Sequence, residues 1–297
     1  MSTDPLEQFS EALADRLAAV SRLVVTVRTA GRDCSGILWR HDVVVTSEQL
    51  LPEGPTFPVV QNGTETEATL AGCDPGTNIA VLRLGQELVA ALPASAPSPR
   101  PGSLALIVGA DPRGAPTGRL GMVHAVGPEW HSQAGGRIEA LLQLDTRLGA
   151  DEGGPVVSLG GRLLGMSTSG PRRRTLVIPA ATIERVLDPL LTNGRVARGW
   201  LGVGLQHVLV PERFRDPAGR DSGMMVVGLA AGAPAEQAGV LPGDIILEVD
   251  GSRTGRTRGL AAALAAERIG QPATLKLLRA GEVHLVTVTI GARPAKA

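Results

Sequence analysis

Leu144–Val157 reads L-D-T-R-L-G-A-D-E-G-G-P-V-V. Two β-prone runs, Ile138–Leu144 and Pro155–Ser158, flank a loop in which Asp151 and Glu152 run into the pair Gly153-Gly154 and then Pro155. Neighbouring acids in an extended loop point apart, and no His, Asp or Glu elsewhere in the chain stands at ligand spacing from them. No metal site and no cofactor are therefore expected, and a paired-carboxylate acid–base role is disfavoured.

Outward from this loop the texture is the same in both directions: short apolar runs broken by Gly, Pro, Asp and Asn, the pattern of antiparallel barrels or sandwiches. Six runs precede a proline-rich connector (Pro93–Gly102): Leu23–Arg28, Gly36–Trp39, Val43–Thr46, Pro58–Gln61, Glu67–Ala71 and Ile79–Leu84. Six follow it: Ser103–Val108, Gly118–Val126, Ile138–Leu144, Pro155–Ser158, Arg162–Ser167 and Leu176–Ile178. The connector is too rich in proline for helix or central strand. At the start, Leu6, Phe9, Leu13, Leu17 and Val20 recur at helical spacing, which predicts an amphipathic helix over Leu6–Val20 packed on a barrel. Ala181–Leu191 predicts a second helix, strained at Pro189 and ended by Asn193-Gly194.

Composition narrows the function. The 297 residues include three Trp, three Phe and no Tyr, too few for aromatic platforms that stack single-stranded nucleic acid. Lys plus Arg and Asp plus Glu number 29 each, so there is no basic footprint for DNA, RNA or an anionic membrane. The only strong charge run, Arg172–Arg174, reads as a solvated hairpin tip. Met1–Phe9 shows no leader-like apolar run and no segment is long enough to span a membrane, so the expected location is cytoplasmic, with the periplasm as the alternative if the true start lies upstream. Cys34 and Cys73 lack metal-ligand spacing and read as two idle thiols, with a bridge between them left open.

The loop at 144–157 resembles the nucleophile loop of the HtrA (Deg) family of chymotrypsin-like serine proteases, Q-T-D-A-x-x-N-P-G-N-S-G-G-P-L. Five further segments are similar to family motifs: Gly36–Leu51 (G-I-L-W-R-H-D-V-V-V-T-S-E-Q-L-L) to the histidine segment, Gly76–Leu84 (G-T-N-I-A-V-L-R-L) to the aspartate segment, and Val108–Gly114, Gly121–Gly127 and Leu176–Ile183 to three others. The resemblance implies a mainly β chain with a chymotrypsin-like double six-stranded barrel. At the three triad positions, however, stand Gln49, Asn78 and Glu152. A glutamine amide does not shuttle protons near neutral pH, an asparagine does not stabilise an imidazolium by charge, and a carboxylate is not the serine hydroxyl. Ala150 replaces a glycine in the oxyanion loop, here Ala150, Asp151 and Gly153. Glu152 is expected to accept hydrogen bonds from that loop and plug the cleft.

Beyond residue 198, R-G-W-L-G-V and Gly232–Gly251 (G-A-P-A-E-Q-A-G-V-L-P-G-D-I-I-L-E-V-D-G) resemble the PDZ domain of HtrA proteins. The resemblance implies a groove for polypeptide C-termini. Trp200, Leu201, Gly202 and Val203 would offer backbone N–H groups or flank them, and an edge strand would run over Val203–Val208. Leu201, Val203 and Leu205 would line the pocket for an apolar terminal side chain, and a helix over Thr257–Glu267, with Leu260 and Leu264 one turn apart, would form the other wall of the groove. The division expected is a helix (1–22), a protease-like domain (23–193), a linker (194–198) and a PDZ domain (199–293).

These readings predict no enzyme but a non-catalytic HtrA-like protein that binds polypeptide C-termini or exposed strands, as adaptor, chaperone-like factor or regulatory subunit. Its partners would be peptides, a catalytically intact homologue or an enzyme complex. A homo-trimer is among the assemblies the resemblance implies. The alternatives are an active serine-type endopeptidase with unorthodox residues and a purely structural assembly subunit.

Overall fold

The computed structural model describes residues 4–89, 91–132, 134–171, 174–254 and 263–294. It divides into two compact units, one of residues 1–130 and 137–195 and the other of 131–136 and 196–297.

In the first unit, helix α1 (Pro5–Ser21) starts where Asp4 caps the N–H of Leu6 and Pro5 takes the first turn. Its C-terminal half is seated on a barrel, since Leu17 fills the space above Gly118 where no Cβ intervenes. Its N-terminal half is not, and Leu6 is 78% exposed.

Strands β1 (Val24–Val27), β2 (Cys34–Arg40), β3 (Val43–Ser47), β4 (Thr56–Gln61), β5 (Thr64–Asp74) and β6 (Ile79–Leu84) close into a barrel in the order β1-β2-β3-β6-β5-β4. The core of this barrel is built from Val25, Val27, Leu38, Val44, Phe57, Val59 and Leu82. Each such side chain removed from water contributes roughly 1.5–3 kcal/mol, which is how a chain nearly without aromatic residues holds a barrel shut.

Strands β7 (Leu104–Ala110) and β8 (Pro116–Gly127) begin the second barrel, and β9 (Trp130–His131) with β10 (Arg137–Ile138) forms a small ribbon. Strands β11 (Leu141–Leu144), β12 (Pro155–Ser158), β13 (Leu163–Ser169) and β14 (Thr175–Pro179) complete the barrel in the order β11-β14-β13-β12-β7-β8. Helix α2 (Ala180–Asn193) follows. It runs through Pro189 and ends at Gly194 with φ 70°. The strand expected over Ile138–Leu144 is divided into β10 and β11. At the break the carboxylate of Glu139 accepts from Arg185 Nε at 2.6 Å, and its N–H donates to Thr182 Oγ1 at 3.2 Å.

In the second unit, β15 (Gly199–Trp200) pairs with β22 (Gly291–Ala292). The main sheet has the order β16 (Val203–Leu209), β17 (Ser222–Leu229), β18 (Ile245–Val249), β20 (Pro272–Arg279), β21 (Glu282–Thr289), with β19 (Ser252–Arg253) attached to β18. Two single-turn helices, α3 (Arg215–Ala218) and α4 (Pro234–Gln237), complete it. Asp244, 1% exposed, accepts a bidentate pair from Arg279 at 2.8 and 2.7 Å and the N–H of Leu241 at 2.8 Å.

Candidate functional site

The Gly149–Gly154 loop is held by both barrels. From β2, Ser35 N–H donates to the Glu152 carbonyl at 2.9 Å and Ser35 Oγ to the Ala150 carbonyl at 2.8 Å. From β8, Arg119 donates to both oxygens of buried Asp151, which also accepts the N–H of Gly149 at 2.7 Å. Gly153 has φ 91°, and a Cβ on it would lie 2.1 Å from the Ser35 carbonyl oxygen. Only glycine fits there, because both the backbone conformation and the space exclude a side chain. The loop's own N–H groups are turned inward: Glu152 to Gly149 O at 3.3 Å, Gly153 to Ser167 O at 2.9 Å and Gly154 to Asp151 O at 3.2 Å.

Gln49, Asn78 and Glu152 come together at the junction of the barrels. Gln49 follows β3 on a single 3-10 turn, and its N–H donates to Asn78 Oδ1 at 2.8 Å. Asn78 precedes β6 with φ 57°, a left-handed conformation that Asn tolerates, and its amide donates to Ser47 Oγ at 2.9 Å and Thr168 Oγ1 at 2.6 Å. Gln49 Nε2 donates to Glu152 Oε1 at 2.6 Å. The three groups thus form a chain of amide, amide and carboxylate.

Sequence reasoning missed Thr168 and Ser169 at the end of β13. The Glu152 carboxylate takes the Ser169 N–H at 2.8 Å and Thr168 Oγ1 at 3.3 Å on Oε1, and Ser169 Oγ at 2.7 Å on Oε2. Glu152 is 2% exposed, while Ser169 is half-buried. The expectation that Glu152 accepts from its own loop is corrected: its side-chain donors are Gln49 and the end of β13, because the loop's N–H groups at 152, 153 and 154 already have backbone acceptors. The S-T-S run Ser167–Ser169 was the available signal, since three successive hydroxyls in a barrel strand need polar partners. Cys34, buried beside Thr46 Oγ1, has its thiol pushed up to about 11 by burial and is no nucleophile. Cys34 and Cys73 are both free thiols. His41 is exposed and bonds the Leu88 carbonyl at 2.9 Å, and His124 is exposed.

In the second unit, Gly202 has φ 77°, and a Cβ on it would lie 2.1 Å from Ala233 Cβ and 3.2 Å from the Trp200 ring. Next to it, among the described residues, β16 is an edge strand that pairs only with β17. Leu201, expected in the groove lining, is 1% exposed and belongs to the core with Val226, Ile246 and Leu275. Val203, Leu205 and Leu264 are half-buried on that core. Leu260 and most of the helix expected over 257–267 lie outside the described residues, and Ala266–Arg268 is a 3-10 turn. Arg172 and Arg173 also lie outside them, while Arg174 is exposed.

Residues 34–166 match the trypsin-like peptidase domain family and residues 199–290 the PDZ domain family. The probable periplasmic serine endoprotease DegP-like of Rhizobium meliloti is 32% identical over 86% of this chain and 52% of its own length. The protein of the same name from Brucella suis is 30% identical over 88% of this chain and 52% of its own. This chain therefore spans about half the length of these curated relatives. Among solved structures, the HtrA-type protease AlgW with a tripeptide has a TM-score of 0.71 at 27% identity, covering 95% of this chain and 98% of that one. The serine endoprotease from Yersinia pestis has a TM-score of 0.71 at 25% identity, covering 94% and 98%.

Two sequence-based expectations are corrected by these relatives. The expectation of no enzyme is overturned because the curated relatives are named serine endoproteases and the solved neighbours HtrA-type proteases. Cytoplasmic location is overturned because the curated relatives are named periplasmic; the charged stretch at residues 1–9 carries no weight in a chain spanning half their length. Among the described residues no helix is long and apolar enough to cross a membrane. With two barrels in the chymotrypsin-like arrangement, a PDZ domain after them and these relatives, the chain belongs to the HtrA family of serine proteases.

Proposed function

We propose that this chain captures polypeptides by their C-termini through its PDZ unit. The observation that carries the reading is the left-handed Gly202 beside β16, an edge strand among the described residues. In that arrangement successive backbone N–H groups of the Trp200–Val203 turn can meet a terminal carboxylate, and the peptide adds as a strand to β16. Val203, Leu205 and Leu264, half-buried at the surface of the core, suit an apolar last side chain. Capture alone would serve an adaptor or chaperone-like role, and the periplasmic setting in the relatives' names would make exported polypeptides the clients. A C-terminal peptide library read by fluorescence polarisation tests this. Binding should weaken at least about tenfold on amidating the peptide terminus or on Gly202→Val, and binding indifferent to amidation would remove the carboxylate mechanism.

A second reading, favoured by the relatives' names, is that captured polypeptide is also cut by serine-type chemistry with unorthodox residues. The specific observation for it is that the Glu152 carboxylate accepts a serine hydroxyl at 2.7 Å. Casein turnover by the purified chain is the direct measurement.

A further inference from the structure

We propose that Ser169 is the nucleophile of this chain and Glu152 its general base; the assignment rests on the endopeptidase reading. A serine hydroxyl becomes nucleophilic when a base already holds its proton, and Ser169 Oγ donates to Glu152 Oε2 at 2.7 Å. The pair is fixed from every side. Ser169 N–H donates to the other carboxylate oxygen at 2.8 Å, and its carbonyl accepts from Gln49 Nε2 at 3.2 Å. Gln49 Nε2 at 2.6 Å and Thr168 Oγ1 at 3.3 Å orient Oε1, and Asn78 steadies Thr168 at 2.6 Å. Glu152 is buried and Ser169 as a residue is only half-buried, so the serine is the member of the pair nearer to solvent. Gln49 and Asn78 act here as positioning residues: each orients the base or its neighbour through neutral donors and carries no proton in the reaction.

The step balances with the groups present. Ser169 Oγ forms a bond to the scissile carbonyl carbon as its proton passes to Glu152 Oε2. The tetrahedral alkoxide collapses, the C–N bond breaks, and the amine leaves with the proton returned from Glu152. Water then attacks the Ser169 ester, giving its proton to Glu152, and the serine regains that proton as the acid departs. The N–H groups of residues 152–154 are engaged inside the fold and offer no oxyanion donors. Acceleration therefore comes from the base and from positioning, with general-base catalysis supplying roughly 10²–10⁴-fold.

The test uses the full chain and a fluorophosphonate, which needs no oxyanion hole as demanding as an amide's: Oγ bonds to phosphorus, fluoride leaves, and the proton goes to Glu152. An adduct mapped to Ser169 by peptide mass spectrometry is expected. It should be absent in Ser169→Ala, retained in Ser169→Thr, and slowed at least about tenfold in Glu152→Gln, each variant checked for native circular dichroism. No Ser169 adduct on the folded chain, or a Glu152→Gln variant labelled at the wild-type rate, overturns the assignment. Casein turnover that survives Ser169→Ala leaves the endopeptidase reading standing without this nucleophile, whereas wild-type protein with neither turnover nor adduct removes both. Peptide binding by the PDZ unit, measured on Ser169→Ala, should be unchanged.

Discussion

Glu152 is buried at the barrel junction with four donors and no cation among them: the Gln49 amide, Thr168 Oγ1, and the N–H and Oγ of Ser169. Glu152→Ala should leave the half-buried Ser169 N–H without its acceptor and take from the Gln49 amide the shortest of its bonds, with the Ser169 carbonyl still accepting from it at 3.2 Å, at a cost of about 1–3 kcal/mol. Glu152→Gln keeps one acceptor oxygen and should cost about half as much. Urea midpoints at constant slope read the difference, and an unchanged midpoint for Glu152→Ala would show that the bonds do not persist in solution. Gly153→Ala is expected to be worse, at least about 3 kcal/mol, because φ 91° and the approach to Ser35 O at 2.1 Å both involve backbone that cannot turn aside. The Gly-Gly-Pro text made this loop legible, and with it the position of Glu152. Its partners were not legible from the loop: Ser169 arrives from a separate strand, and nothing local to residue 152 says which strand crosses it.

The hairpins show where local chemistry writes itself into the sequence and where tertiary context prevails. Asn62-Gly63 and Asp250-Gly251 join β4 to β5 and β18 to β19 with both residues at positive φ, the geometry of the two-residue turn that Asn-Gly and Asp-Gly prefer. Between β20 and β21 the same turn is made by Ala280-Gly281, and Ala280 has φ 50° without a side chain that eases it. Ala280→Asn or Ala280→Gly should therefore stabilise the second unit by about 0.5–1 kcal/mol, seen as a raised Tm, and a lowered Tm for both would mean that Ala280 is not in that conformation. Strand periodicity located all twelve barrel strands to within a few residues, apart from the break at Glu139. That break depends on Arg185 and Thr182 of α2, side chains more than forty positions away, and no local pattern announces it.

Across the chain, carboxylates with shifted titration are distributed unevenly between the two units. In the second, burial would raise Asp244, but the hydrogen-bonded Arg279 outweighs it and holds Asp244 below the usual range. Glu248 is lowered by its hydrogen bond from Arg220, and Asp250 by the backbone N–H of Thr274. A carboxylate whose folded pKa lies below its unfolded value stabilises the fold above the unfolded pKa of about 4, and that contribution is lost as pH falls through the folded value. In the first unit the directions oppose each other. Glu139 is lowered, because bonds from Arg185 and Thr182 overcome burial, whereas Glu48 is raised by burial and then by Asp74, so it favours the folded state on acidification. The second unit should consequently lose more stability between pH 7 and pH 3. In calorimetry of the whole chain, two transitions are expected, and the one that Asp244→Asn lowers at pH 7 should also be the one that falls further in acid. That variant should narrow the gap between pH 7 and pH 3 for its own transition, because the titrating group has been removed; two transitions falling in parallel, unaffected by Asp244→Asn, would mean that acid acts on the chain through other groups.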